Sequence, residues 1–181
     1  MGFKTIKLSV TFLLLWIAST AFACKAKDAP DLMAALERGI ELNERFKRSA
    51  RTNSARYQSL REQAEQYDEV TTMPCAEKAG ALLQRKLDLN LLRQLMKLTV
   101  SYENSADERI AVALAGVLRR HPQAVSDGID AFSPSEARLL LRSMESGWIN
   151  IRDSVPSKER AHIELTLKSI RAALSKTSTT K

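Results

Sequence analysis

The chain is poor in the residues that build strands, turns and reaction centres. Of 181 residues only 6% are aromatic, and there are 6 Gly, 5 Pro, 2 Cys and 2 His. Few aromatics and few turn formers argue against an all-β fold, which needs both in quantity. Two cysteines exclude a disulfide-dense mini-protein. The glycines are scattered, so there is no Gly-rich phosphate loop and no collagen-like repeat. No Gly-x-Ser-x-Gly, no His-Glu-x-x-His and no persuasive Ser-x-x-Lys occurs. The two histidines, His121 and His162, have no metal-spaced partner, and a zinc site needs three or four clustered ligands. No cofactor and no metal are expected. Asn-x-Ser/Thr sequons are missing too.

What is present begins with an address. Lys4 and Lys7 precede a mostly apolar stretch from Leu8 to Ala18, and Ala21-Phe22-Ala23 has the small-x-small pattern of a signal-peptidase site. Ser9, Thr11, Ser19 and Thr20 leave the apolar run short of the about 20 residues a span requires. Residues 1–23 therefore read as a cleaved signal peptide, and no transmembrane span is expected in the mature chain. The formal charge of +7 becomes +5 once Lys4 and Lys7 are removed, and Trp148 becomes the sole tryptophan. A Gram-negative periplasm is the expected compartment.

Cleavage after Ala23 makes Cys24 the first residue. One reading is a lipoprotein acylated at Cys24, although Ala21 and Phe22 fit that signal poorly. The other pairs Cys24 with Cys75, as export to an oxidising compartment permits. A bridge would constrain the topology. One unbroken helix over Asp31–Asp68 would span about 57 Å. The six-residue links on either side reach only about 20 Å each, far from the ~5.5 Å Cα spacing of a disulfide. The chain must then reverse, and Thr52-Asn53-Ser54 is the turn signal available. A helix hairpin clamped at its base by Cys24–Cys75 follows.

The rest reads as helix. Ala, Leu, Arg, Lys, Glu and Gln dominate, and no stretch alternates with period 2. A first helix is expected from Leu32 with Asp31 as its cap, carrying Leu32, Leu36, Ile40 and Phe46. A second carries Tyr57, Leu60, Ala64 and Tyr67, and Met73-Pro74 ends the connection after it. A third, from Cys75 towards Tyr102, is the most apolar and reads as the central helix, with a break possible at Asp88–Asn90. Ser105-Ala106-Asp107-Glu108 and Ser133-Pro134-Ser135-Glu136 have the capping-box pattern. They open helices with Ile110, Leu114 and Val117, and with Ala137, Leu140 and Met144. A short helix with Val125, Ile129 and Phe132 lies between, Gly147 is a stop signal, and a last helix follows Pro156 with Ile163, Leu167, Ile170 and Leu174. The fold class expected is all-α: about seven helices in an irregular bundle or a short stack of hairpins, Ala106–Phe132 and Pro134–Leu174 resembling two such units. Residues 24–174 form one helical domain in this reading, with 175–181 a frayed polar tail.

One charge pattern stands out. Arg45, Lys47, Arg48, Arg51, Arg56 and Arg61 follow one another without an acid, while Glu37, Glu41 and Glu44 precede them and Glu62, Glu65 and Asp68 follow. These six cations are the candidate binding residues, grouped near the hairpin turn. Phe46 and Tyr57 are interleaved, as in nucleic-acid binders, but export removes that partner. The expectation is an exported binding protein without catalytic activity, an envelope inhibitor or immunity-type factor whose partner is a protein or an anionic envelope component. The alternatives are an envelope enzyme using a carboxylate pair on peptidoglycan, with Glu103, Asp107 and Glu108 close in sequence, and a lipoprotein anchored through Cys24.

Overall fold

The computed structural model describes residues 24–49, 54–103 and 108–176, and these are all-helical, without strands. The helices are α1 (Ala29–Ser49), α2 (Ser54–Tyr67), α3 (Met73–Arg85), α4 (Leu89–Ser101), α5 (Arg109–Arg120), α6 (Pro122–Ile129), α7 (Pro134–Ile151) and α8 (Ser157–Lys176). A π-helical turn, Asp68–Thr72, joins α2 to α3, and a 3₁₀ turn, Arg152–Ser154, follows α7. With residues 54–85 counted as one rod, the described residues form seven, as expected. The signal peptide, Arg51, Thr52, Asn53 and the Ser105 capping pattern lie outside the described residues.

Local chemistry explains the boundaries. α1 starts at Ala29, three residues earlier than expected, because Asp28 is its cap: Asp28 Oδ1 accepts the Asp31 N–H at 3.0 Å. Pro30 sits in the first turn, where its missing N–H costs nothing. The connection ends at Met73-Pro74, where α3 opens, and it is itself a π-helical turn. The Met73 N–H reaches back to the Asp68 carbonyl, and this wider turn carries the helix past Pro74, whose ring and missing donor would otherwise break it. The apolar stretch 75–102 does break. Asp88 Oδ1 accepts from the Asn90 and Leu91 N–H groups at 2.9 and 3.1 Å and caps α4. Ser133 and Glu136 form the expected capping box on α7. α8 extends through Ser175 and Lys176, beyond the expected end at Leu174, and residues 177–181 lie outside the described residues.

Gly147 is not a stop. It lies inside α7 at a close helix crossing, where a Cβ on it would sit 2.1 Å from the Ala111 carbonyl oxygen. The partner is α5, the central helix in place of the expected 75–102 element. From Ile110 to Leu118 nearly every α5 side chain is buried, and α5 packs on α3, α4, α6, α7 and α8. Its composition allows this. Ala111, Ala113, Ala115 and Gly116 let neighbours approach closely, as at Gly80 of α3, where a Cβ would meet the Ala113 Cβ at 2.8 Å. α5–α6 and α7–α8 are stacked through this α5–α7 contact.

The N-terminal half is the expected antiparallel hairpin. The Phe46 and Tyr57 rings meet with centroids 5.0 Å apart, Gly39 faces Thr72, and Cys24 is bridged to Cys75 with Cα atoms 4.8 Å apart. Receding along α1 thus means advancing along α2 and α3. Asn43 Nδ2 donates to the Ser101 carbonyl at 2.6 Å and anchors α1 to the end of α4.

Three expected outcomes test this account. Gly147→Ala should lower unfolding stability by ~3 kcal/mol, because the new methyl meets backbone atoms that cannot yield. Gly128→Ala faces only the flexible end of Met96 at 3.1 Å, so it should be neutral or gain up to ~1 kcal/mol of helix propensity. Urea unfolding read through Trp148 fluorescence measures both. Next, Cys24→Ser should cost roughly 4 kcal/mol, the chain-entropy value for a loop of this length, in the same titration. Finally, Ser133→Ala should cost ~1 kcal/mol at neutral pH. The hydrogen bonds from the Ser133 hydroxyl and backbone N–H hold the Glu136 carboxyl below its usual range. A depressed carboxyl stabilises the fold above its unfolded pKa, and that contribution is lost as pH falls through the folded pKa. The gap between wild type and Ser133→Ala should therefore narrow in acid, as pH-resolved urea midpoints would show.

Candidate functional site

Helical periodicity decides which of the six candidate cations meet. Arg45 and Arg48 are three apart on α1 and share a face. Arg56 stands on α2, across the contact made by Phe46 and Tyr57. Arg45, Arg48 and Arg56, with Ser49 and Leu60, line one concavity of about 340 Å³. Lys47 points elsewhere and donates to the carbonyl oxygen of Ser101 at the end of α4. Arg61 is five residues beyond Arg56, about 140° around the helix, and pairs with Glu65 at 2.7 Å. Arg51 lies outside the described residues. The structure therefore gathers three of the six.

The electrostatics of these three differ. Arg45 shares Glu41 with Arg38, each bond 2.5 Å long. The hydrogen bond from Arg38, then the charges of Arg45 and Arg38, hold the Glu41 carboxyl below the usual range. Arg45 is thus largely compensated. Arg48 donates through Nε to the Glu44 backbone carbonyl at 3.2 Å, which fixes the side chain without neutralising it. Arg48 and Arg56 are exposed. Exposed guanidiniums in a fixed fork suit carboxylate or phosphate recognition. The Glu41–Arg45 pairing was readable as an i,i+4 spacing.

Two further surfaces stand apart from the tip: one holds two of the acids named for the enzyme reading, and the other has no counterpart in the sequence analysis. Glu103 and Glu108 line one cavity of about 230 Å³ with Tyr102, Arg142 and Ser146. Both are engaged: Arg142 lies 3.8 Å from Glu103, and Asn150 donates to Glu108 at 2.7 Å. A larger groove of about 610 Å³ runs between the start of α4 and α6. His121 sits at the joint of α5 and α6 beside it, with Nε2 buried and unpartnered in the described structure; His162 is exposed on α8. Among the described residues no group of three or more His, Cys, Asp or Glu is placed to hold a metal ion, and no helix is long and apolar enough to cross a membrane.

No protein-family model, no curated protein and no solved structure matches the chain.

Proposed function

We propose that the chain is an exported, periplasmic binding protein without catalytic activity that docks an acidic macromolecular surface at the tip of the α1–α2 hairpin. The observation that carries this reading is the convergence of Arg45, Arg48 and Arg56 from two helices on one concavity. The N-terminal signal-like segment and the bridged cysteines support export. The bridge also occupies the Cys24 sulfur that lipid attachment would use, which favours a free chain over an anchored one. The acidic partner is an anionic envelope component or an acidic protein face, the kind of surface that this chain would engage as an envelope inhibitor or immunity-type factor.

A second reading, an enzyme acting on peptidoglycan through two carboxylates, has one observation in its favour: Glu103 and Glu108 share a cavity. Their engagement by Arg142 and Asn150 gives each a structural task. Release of peptidoglycan fragments that disappears in Glu108→Gln would favour this reading over the first.

The binding reading makes a charge-specific prediction. Arg48→Gln combined with Arg56→Gln should weaken association with vesicles of anionic lipid roughly tenfold or more, at about 1 kcal/mol per cation near such a surface. Wild-type binding should fall steeply with salt, since the Debye length shrinks from about 10 Å at 0.1 M to about 3 Å at 1 M. Vesicle co-sedimentation measures both, and a salt-independent association would overturn the reading.

A further inference from the structure

The groove between α4 and α6 is built differently from the basic tip. Leu92 and Met96 lie beneath its floor, 2% and 0% exposed, and the apolar surface it presents is that of Leu87, Leu89, Pro122 and Ala124. Gly128 lets α6 lie directly over Met96, which closes the trough from beneath. Its outer wall is formed by Leu87 and Leu89, which are 37% and 63% exposed. Two adjacent exposed leucines over an apolar floor form a surface that water covers at a cost. The volume of about 610 Å³ is within the range of small-molecule sites.

The rim supplies the second half of the argument. Arg93 on α4 and Arg120 at the end of α5 both line the groove and are exposed. Neither makes a hydrogen bond or an ion pair with any described residue. The carboxylate nearest to Arg120 in charge effect, Glu159, is held by Arg119 through two bonds of 2.7 and 3.0 Å. The single acid lining the groove, Asp127, already accepts from Gln123 at 2.6 Å. An apolar trough with two uncommitted guanidiniums at its edge matches one ligand chemistry, a linear apolar tail ending in an anion.

We infer that this groove binds a free single-chain amphiphile with a carboxylate head, the acyl chain lying against Leu87, Leu89, Pro122 and Ala124, and the carboxylate held by Arg93 and Arg120. The site is separate from the hairpin tip, and its residues take no part in the vesicle binding described above.

Calorimetric titration of the purified protein with octanoate, decanoate and dodecanoate, all kept below micelle formation, tests it. Affinity should rise about fourfold per added methylene. Dodecanol should bind at least tenfold more weakly than dodecanoate. Arg93→Gln with Arg120→Gln should weaken dodecanoate roughly tenfold or more, with anionic-vesicle binding unchanged. Leu89→Glu, at a position exposed enough to fold normally, should weaken it as much by placing a like charge beside the head and removing wall. A flat chain-length series, equal binding of alcohol and acid, or dodecanoate affinity unchanged in either variant would overturn the proposal. So would self-association of the protein that Leu89→Glu abolishes, because a second copy of the chain would then be the occupant.

Discussion

The fold depends on how closely a helix can approach α5. Helices with large side chains at their contact keep their axes 8–10 Å apart; removing the Cβ at a crossing allows backbone to rest on backbone. Gly147 does this on one side of α5 against Ala111 and Val112, and Gly80 does it on another against Ala113. α5 is only 12 residues long, yet five helices pack on it, which larger side chains would prevent. The leucines of α3 and α4 and those of α7 then enclose this thin helix from opposite sides, and α8 is added through Ile163, Leu167 and Ile170.

The hairpin is fastened to this centre at two points. At its base the Cys24–Cys75 bridge joins the residues before α1 to the first turn of α3. Nearer the tip, Asn43 and Lys47 of α1 both donate to the Ser101 carbonyl, one of the terminal acceptors that α4 cannot satisfy itself. Between them Gly39 rests on Thr72 in the π turn. The wide turn therefore does two things: it carries the helix past Pro74 and brings Thr72 against α1. Among the described residues the buried Thr72 hydroxyl has no hydrogen-bond partner there.

Helix type and apolar faces were legible in the sequence because they depend on short-range periodicity. Tyr57, Leu60, Ala64 and Tyr67 form the inward stripe of α2 as their spacing implies, and Ser133 with Glu136 caps α7. The hairpin was legible for a different reason: chain length made a Cys24–Cys75 bridge incompatible with one straight helix. What failed were signals whose meaning depends on a distant partner. Gly147 has the composition of a helix stop, and only its position against Ala111 makes it a packing residue. Pro74 marked the start of α3, but the π turn that makes the connection before it helical has no sequence pattern of its own. Total apolarity made 75–102 look central, whereas centrality came from the small side chains of α5. The basic run behaved likewise. Sequence adjacency grouped six cations; the helical period and the facing elements sorted Lys47 and Arg61 away from Arg45, Arg48 and Arg56.

The two surfaces that carry the functional readings sit at opposite ends of α4. The hairpin tip is tied to Ser101, the last residue of the helix, and the groove opens beside Leu89, the first. Arg93, the charge that α4 gives the groove, is eight residue steps from Ser101, about 12 Å at about 1.5 Å each, beyond the screening distance of about 8 Å at physiological ionic strength. A charge at one site is therefore weakened by screening at the other. Any dependence of one site on the other would have to pass through the packing of α4, and its buried residues Leu91, Leu92, Leu95, Met96 and Leu98 are clamped in the core. Leu92 and Met96 lie just beneath the groove. A ligand there bridges the start of α4 to α6, so occupancy of the groove should stabilise the fold, whereas an anion at the tip touches only the ends of α1 and α2.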